Sequence, residues 1–409
     1  MAKATIYYFN PTCELAVANG SFSYMPPLLL QKMERDLSVL PFIFASENDF
    51  VLTENPPSIG FVQRMKDAGF SNLPHFCSLN ELEALPDGSI SDILPWGWSP
   101  AAHFKLKNLK EKCSDEFKAS PAFHWKSEHQ TLFERSTSLN FLAEILANNS
   151  PDWFIDQSLT GIVVTNSEEI EMLLKRHLPL VIKAPISSSG RGIQIIRKKE
   201  LSASNRQWIS GVLKQQNYLV AEPFLEKLAD LSFQFQVKDN SEIEFLGYSF
   251  FETNSNGQYS GTLLHPELET ILSAEHSAVF QERISETVQI IMDALKKSVY
   301  AKYHRGYLGV DSLLFMERNQ LFIQPCIEVN CRMNMGIISL LIEKKIQKDS
   351  IGKFGLWYSN SEKFMDFANE QSNNNRLRIQ NGKLNSGFLS LVEEDSNKKF
   401  GAYFSFLPK

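Results

Sequence analysis

The sequence lacks the cysteine patterns that mark disulfide scaffolds and structural zinc sites. Its five cysteines include no CxxC pair and no metal-like pairing with histidine. Cysteine usage of this kind is typical of a reduced compartment. We therefore expect a cytoplasmic protein.

Long apolar runs and strong positive charge are also missing. No stretch reaches the roughly 18 apolar residues of a membrane helix, and the N-terminus enters a predicted strand without the apolar region of a signal peptide. The formal net charge of −6 argues against non-specific nucleic-acid binding. With 409 residues, 43% of them hydrophobic, the chain is predicted to be globular, with two or three subdomains.

Short strands alternate with helices over about the first hundred residues. Strand-like runs lie at 4–9, 40–44 and 93–94, and their alternation with helical segments predicts a small parallel α/β unit. Ligands of such sheets lie beyond the carboxyl ends of the strands, so Asn10 and Glu14 are candidate site residues. The alternative is that Glu14 is solvated and the nearby tryptophans only pack.

The most informative stretch is LPLVIKAPISSSGRGIQIIR, residues 178–197. An apolar run ends at Lys183, a small-residue loop follows, and an apolar run resumes at Ile193, which predicts a hairpin. A hairpin excludes the P-loop and the Rossmann fingerprint, because both need a helix directly after the glycines. The N–H groups and hydroxyls of the loop, with Arg191, suit an anion within reach of Lys183. The alternative is an ordinary exposed turn.

Two further strands, predicted at 306–315 and 320–329, carry acidic and amide side chains. Asp311 lies in the first strand, while Glu328, Asn330 and Arg332 follow one another at a spacing of two, which puts them on one face. Carboxylate and amide oxygens suit Mg²⁺ that bridges nucleotide phosphates, and Arg332 can stabilise charge that develops during transfer. The alternative is a structural salt bridge between Glu328 and Arg332.

Residues 101–148 read as a helical connector, and residues 218–224 as a buried strand. In the C-terminal part, residues 369–386 are rich in Asn and Gln and are predicted to form a mobile loop. Two terminal strands are expected at 388–392 and 400–406.

Together these motifs resemble the ATP-grasp superfamily over residues 135–335. Lys183 and the loop at 187–192 match its lysine and flexible phosphate loop, residues 220–225 match its V-x-E-x-x-L adenine hinge, and Asp311 with E-x-N-x-R matches its metal site. The position of a second nucleotide lysine falls to Arg135. The resemblance implies that ATP contacts Arg135, Lys183, Ser187, Ser188, Ser189, Gly190, Arg191, Gly192, Glu222, Phe224, Leu225, Glu226 and Asp230. It also implies that metal binds to Asp311, Glu328 and Asn330.

The resemblance further implies a fold of the α/β class, in which a small parallel α/β domain precedes two α+β subdomains that clasp ATP between their sheets. The expected segments are an N-terminal domain (1–100), a helical connector (101–158), a subdomain with the glycine-rich loop (159–225), a subdomain with the metal site (226–348) and a C-terminal extension (349–409).

The activity implied is that of an ADP-forming ligase, which joins a small-molecule carboxylate to an amine or thiol through an acyl phosphate. ATP and Mg²⁺ are the expected cofactors, with two ions bound and Mn²⁺ as an alternative, and a homodimer is common in the family. Arg332, Lys183 and Arg305 are the catalytic candidates, and Asn10, Glu14 and Tyr259 the substrate candidates. A small-molecule kinase and a non-catalytic nucleotide-binding protein remain as alternatives.

Overall fold

The computed structural model describes residues 4–148, 150–188, 192–238, 240–254 and 257–408. Within these ranges the chain forms a four-stranded parallel sheet, a four-stranded antiparallel sheet and a nine-stranded antiparallel sheet. The predicted α/β class is confirmed. No helix of the described part has both the length and the apolar composition that a bilayer span requires.

The parallel sheet has the strand order β3-β2-β1-β4. Its strands are β1 Ala4–Tyr8, β2 Phe50–Leu52, β3 His75–Cys77 and β4 Ile90–Pro95. The helices of this part and of the segment after it are α1 Cys13–Asn19, α2 Leu28–Asp36, α3 Ile59–Asp67, α4 Leu79–Glu83, α5 Pro100–Lys105, α6 Lys107–Lys110, α7 Asp115–Ala119, α8 Ser127–Thr131 and α9 Arg135–Asn148. The strand predicted at 40–44 is wrong. The segment Leu40–Ile43 is a 3-10 turn, because Pro41 in its first turn has no N–H to give to a strand ladder.

The antiparallel four-stranded sheet has the order β5-β8-β6-β7. Its strands are β5 Ile162–Val164, β6 Leu180–Lys183, β7 Ile193–Ile196 and β8 Leu219–Pro223, and its helices are α10 Ser167–Leu174 and α11 Ala203–Gln216. The hairpin predicted around the small-residue loop is confirmed, since β6 and β7 pair antiparallel with Lys183 opposite Ile193.

The nine-stranded sheet has the order β13-β12-β9-β10-β11-β14-β17-β16-β15. Its strands are β9 Lys227–Val237, β10 Ile243–Thr253, β11 Tyr259–Leu264, β12 Gly306–Glu317, β13 Gln320–Asn330, β14 Ser350–Tyr358, β15 Arg378–Gln380, β16 Lys383–Ser390 and β17 Phe400–Pro408. Its helices are α12 Leu268–Ile271, α13 Ala274–Lys297, α14 Val299–Tyr303, α15 Met335–Glu343 and α16 Phe364–Asn374.

The mobile loop predicted at 369–386 is wrong. The end of α16 and the strands β15 and β16 occupy most of this stretch. Apolar anchors hold it in place, because Leu384 within the stretch and Phe364 and Ala368 of α16 just before it are completely buried. Burial of each large anchor contributes about 1.5–3 kcal/mol, which fixes the segment although its other side chains are polar.

Strand β9 separates the main core from a polar face. Leu231, Phe233 and Phe235 are fully buried in the largest hydrophobic cluster, where helices α9 and α13 also contribute side chains. The alternating residues Ser232 and Gln234 point to the other face and are buried as well. A second cluster joins apolar residues from the parallel sheet's helices to β14 and β17. The second cluster thus fixes the N-terminal part of the chain against the nine-stranded sheet.

Candidate active site

The strand pair β12–β13 brings three oxygen-bearing side chains together. Asp311 is the register partner of Glu328, and Asn330 follows two residues later on the same face. Asn330 Nδ2 donates to Asp311 Oδ2 at 2.8 Å, and Ser232 Oγ on β9 donates to Asp311 Oδ1 at 2.7 Å. The Asp311 carboxylate is therefore held from both sides.

Asp311 and Glu328 are unfavourably placed for both carboxylates to be ionised without a nearby cation. Burial raises the pKa of Asp311 to about 6, against the hydrogen bond from Ser232, and the nearby charge of Glu328 raises it further. A buried carboxylate next to another one is costly unless a cation compensates both. The donor set of two carboxylates and one amide oxygen consists of hard ligands of the kind that Mg²⁺ prefers.

Arg332 connects the group of Asp311, Glu328 and Asn330 to the N-terminal part of the chain. Its Nε donates to Glu14 Oε1 at 2.8 Å, and its Nη2 donates to Asn330 Oδ1 at 2.9 Å. Burial disfavours the charged guanidinium, but the carboxylate of Glu14 more than compensates, so the pKa of Arg332 is raised. The alternative of a Glu328–Arg332 salt bridge is wrong, as is that of a solvated Glu14, which is only 6% exposed.

Arg135, the first residue of α9, connects the loop after β6 to the acidic pair Asp311 and Glu328. Its Nη2 donates to Glu328 Oε2 at 3.0 Å, while its Nη1 donates to Ala184 O at 2.6 Å and to Ser187 Oγ at 2.9 Å. The residue is 4% exposed. Of the three guanidinium nitrogens, Nε is buried without a hydrogen-bond partner among the described residues. Arg135 therefore lies where the loop of one sheet meets the acids of another.

Lys183, at the end of β6, forms an ion pair with Glu222 on the adjacent strand β8. The two side chains are 7% and 14% exposed. The loop above Lys183 is described only in part: Ser187, Ser188 and Gly192 lie within the described ranges, while the predicted contacts Ser189, Gly190 and Arg191 lie outside the described residues.

A cavity of about 340 Å³ lies where these groups converge. It is bounded by the loop after β6, by strands β9 to β13 and by the start of α15. The predicted residues that line it are Glu14, Arg135, Ser187, Ser188, Asp230, Tyr259, Asp311, Glu328, Asn330 and Arg332. Residues from the N-terminal part, the loop after β6 and the acidic strands thus share one cavity.

Other predicted site residues lie beside this cavity or away from it. The predicted positions that are described but do not line it are Asn10, Lys183, Gly192, Glu222, Phe224, Leu225, Glu226 and Arg305. Asn10 exchanges hydrogen bonds with the backbone of Gly97, at 2.8 and 3.3 Å. Arg305 pairs with Asp92 at 2.8 Å, on the side of the parallel sheet.

Sequence reasoning missed a set of neutral polar residues in the cavity wall. These are Ser232, Gln234, Ser249, Thr262 and Asn334, and all are at most 9% exposed. The sequence of β9 does contain a signal for two of them, because Ser232 and Gln234 alternate with Leu231, Phe233 and Phe235. Polar side chains on an otherwise buried strand predict a lined cavity, since they need partners there.

A larger cleft of about 820 Å³ lies at the carboxyl ends of the parallel strands. Its lining includes Tyr8, Glu34, Glu54 and Lys105, but none of the acids of β12 and β13. Size alone therefore does not identify the site. The smaller cavity combines the paired acids with two arginines, and it is the candidate active site.

No protein-family model matches the chain, and no curated protein sequence matches it. Solved structures do match. The chain is similar to the Staphylococcus aureus N5-carboxyaminoimidazole synthetase, at 14% identity and a TM-score of 0.50, over 99% of this chain and 93% of that one. It is also similar to the biotin carboxylase domain of Hydrogenobacter thermophilus 2-oxoglutarate carboxylase, at 13% identity and a TM-score of 0.53, over 99% and 86% of the two chains.

A third solved structure, the biotin carboxylase of Campylobacter jejuni, has a TM-score of 0.52 at 10% identity and covers 99% of this chain and 87% of that one. Likeness at such low identity is a likeness of fold. It extends over almost the whole chain, beyond residues 135–335, to which the sequence motifs were confined. The resemblance inferred from the motifs is thereby confirmed at the level of architecture, and the chain has the ATP-grasp fold.

Proposed function

We propose that the protein is an ATP-dependent ligase that joins a carboxylate to an amine through an acyl phosphate and releases ADP and phosphate. The observation that carries this proposal is the convergence of Asp311, Glu328, Asn330 and Arg332 with Arg135 in one cavity. The fold supports it, since the similar S. aureus synthetase was solved with ADP and the H. thermophilus domain with MgADP and bicarbonate.

The residues present fit a divalent cation. Asp311, Glu328 and Asn330 would hold Mg²⁺, and their hard oxygen ligands suit it. The bound metal would neutralise charge on the β- and γ-phosphates. We propose two ions, with Mn²⁺ able to replace them.

In the proposed reaction, an oxygen of the substrate carboxylate attacks the γ-phosphorus of ATP, and the bond from this phosphorus to the bridging oxygen of ADP breaks. The amine nitrogen then attacks the acyl carbon, inorganic phosphate leaves with the electrons of the C–O bond, and the nitrogen loses a proton to solvent. The protein's part is to position the reactants and stabilise charge. Arg332 is suited to the charge that develops on the transferred group, and Arg135 to phosphate oxygens under the loop.

The other nucleotide contacts are part of the same proposal. Lys183 and the loop at 187–192 would hold phosphates, the strand of Glu222 and the following residues Phe224 and Leu225 would hold adenine, and Glu226 or Asp230 would hold the ribose.

The division into domains at 100, 158, 225 and 348, the cytoplasmic location and the homodimer also stay predictions. For the homodimer, the H. thermophilus domain is described as a dimer.

Hydroxylamine trapping tests the proposal. Hydroxylamine intercepts acyl phosphates, so wild-type protein with Mg-ATP and a deproteinised cell extract should release ADP and form a hydroxamate, whose mass names the acid. The Glu328→Gln variant should form none. ADP release together with a stable phosphorylated metabolite and no hydroxamate would instead establish a kinase. ATP binding without turnover of any fraction would establish the non-catalytic alternative.

A further inference from the structure

The floor of the cavity is one row of side chains that crosses four strands. Register pairs Glu328 on β13 with Asp311 on β12, Asp311 with Ser232 on β9, and Ser232 with Ser249 on β10. Neighbouring strands are about 4.8 Å apart, so Ser249 lies about 10 Å from Asp311 and on the same face of the sheet. The row begins at the acids Glu328 and Asp311 and ends at the neutral hydroxyl of Ser249.

The chemistry of the cavity changes along this row. Within the described residues, Gln234, Thr262 and Asn334 near the Ser249 end form side-chain hydrogen bonds only to neutral partners. Asn334 Nδ2 donates to Gln234 Oε1 at 2.8 Å, and Thr262 Oγ1 lies 2.7 Å from the hydroxyl of Tyr259. A charged ligand group placed here would lose its hydration and gain no counter-charge, which is costly.

An apolar ligand group would not suit this end either, because Ser249 has an unused hydrogen-bonding group. Its Oγ is completely buried and has no hydrogen-bond partner in the described part of the chain, and the residue lines the cavity. Gln234 Nε2 is close by, and among the described residues its one hydrogen bond is long, to Ser232 O at 3.4 Å. A buried hydroxyl without a partner costs free energy that a hydrogen-bonding ligand would recover.

Gly336, the second residue of α15, leaves the space in which these two groups meet. A Cβ on Gly336 would lie 2.6 Å from Ser249 Oγ and would collide with Gln234 Nε2. The backbone at Gly336 does not adopt the left-handed conformation. The glycine therefore supplies room rather than a special backbone angle, and Gly336 itself lines the cavity.

We infer that the acid substrate carries a neutral hydrogen-bonding group, a hydroxyl or a primary amide, within about 10 Å of its carboxylate, and that Ser249 and Gln234 recognise this group. The inference rests on the proposed function. The carboxylate faces the γ-phosphate beside Asp311 and Arg332, and the chain of the substrate runs along the sheet floor toward Ser249. A site that hydrogen-bonds a substrate group disfavours analogues that lack it, because the polar groups of the site are then left unpaired.

The test starts from the acid that hydroxylamine trapping identifies. Ser249→Ala should lower kcat/KM for this acid about three- to tenfold, which is the value of one hydrogen bond, and should leave the KM for ATP unchanged. Wild-type protein should lose a similar factor when a methyl group replaces the neutral polar group of the acid. The Ser249→Ala variant should lose little more with that analogue, because the interaction is already absent.

Ser277→Ala is a matched control. Ser277 is also a buried serine whose Oγ has no partner within the described residues, but it lies on α13 outside the cavity lining. Both variants should fold and melt at or above the wild-type temperature, since neither removes a hydrogen bond that the described residues form and each removes a buried hydroxyl without a partner. Only Ser249→Ala should change the use of the acid.

Three results would overturn the inference. The first is a trapped acid that has no neutral polar group, and the second is a Ser249→Ala variant that uses the acid as well as the wild type does. In both cases the ligase proposal stands, because a hydroxamate has formed. The third is the absence of any hydroxamate from the extract, which removes the ligase proposal and the inference together.

Discussion

Arg332 Nε donates to Glu14 Oε1 at 2.8 Å across a separation of 318 residues in the chain. Glu14 lies in the first turn of α1, the helix that follows the first strand of the parallel sheet, whereas Arg332 follows Glu328 and Asn330 of β13. The same guanidinium also contacts Asn330. One ion pair therefore couples the N-terminal part to the proposed metal site.

Glu14→Gln should lower kcat more than it changes the KM for ATP. The amide keeps an acceptor for Arg332 but removes the charge that orients the guanidinium, and a 1 Å misplacement of a charge-stabilising group can cost about 10²-fold in rate. Stability should fall by about 3 kcal/mol, as expected when a buried pair loses one partner. Steady-state kinetics and thermal unfolding measure the two effects.

Asp92→Asn is the control for Glu14→Gln. Asp92 and Arg305 form another ion pair of 2.8 Å between β4 and the chain just before β12, but neither residue lines the candidate active site. This variant should lose stability and keep kcat. Equal loss of kcat in the two variants would show that Glu14 acts only by holding the fold together.

The local parts of the site could be predicted from the sequence, because short-range patterns determine them. The hairpin at Lys183 follows from two apolar runs around small residues, and the common face of Glu328 and Asn330 follows from the period of a strand. The partners of these residues could not be predicted. Arg332 pairs with Glu14 and Glu328 with Arg135 because α9 packs against β13 and the segment after β4 contacts the residues that follow β13, which is tertiary information.

The polar floor was missed for the same reason. Ser232, Ser249 and Thr262 are unremarkable in three separate segments, and they meet only through the register of β9, β10 and β11. The incorrect strand at 40–44 has a local cause, because apolar content outweighed Pro41 in the prediction. The C-terminal strands illustrate a third limit, since the buried Leu384 lies in a stretch whose composition is that of a loop.

Glu328→Gln should strongly reduce turnover and leave the fold intact. The amide keeps the shape of the side chain but binds a divalent cation more weakly, so ADP release should fall by about 10²–10³-fold, and more Mg²⁺ should be needed for half-maximal activity. Arg135 keeps its bonds to Ala184 O and Ser187 Oγ but loses its counter-charge, whereas Asp311 loses a repulsive neighbour. These two effects oppose each other, so the melting temperature should change little. Assays of ADP release across a Mg²⁺ titration measure this.

Glu317→Gln is the control for the acid, because Glu317 lies on β12 at the turn end of the same hairpin and outside the cavity lining. It should retain wild-type activity and Mg²⁺ dependence. Full activity of Glu328→Gln would remove Glu328 from the metal site.

Lys183→Met should raise the KM for ATP at least tenfold and destabilise the protein by about 3 kcal/mol, the cost of leaving the partly buried Glu222 without its cation. The double variant Lys183→Met/Glu222→Gln should recover stability, because no uncompensated charge remains, but not the affinity for ATP. Kinetics and thermal unfolding of both variants separate the two roles. An unchanged KM for ATP in Lys183→Met would make the lysine purely structural.

Lys110 offers a prediction that does not depend on the proposed function. Its ammonium group is buried against His103 Nδ1, donates to Phe123 O at 2.6 Å and lies 4.5 Å from the ring centroid of Trp98. Burial lowers the pKa of Lys110 to about 7, whereas an unfolded lysine titrates near 10.4. Between these values the unfolded chain binds a proton that the folded protein does not.

Stability should therefore rise with pH from about 7 to 10, by at most about 1.4 kcal/mol per pH unit from this group. Lys110→Met removes the titrating group and should flatten that rise, whereas Lys107→Met, at an exposed lysine of the same helix α6, should leave it unchanged. Urea unfolding midpoints at pH 7, 8 and 9 measure the slope for each protein. A slope that is the same in Lys110→Met as in the wild type would mean that Lys110 remains charged in the folded state, held by the carbonyl of Phe123 and the face of Trp98.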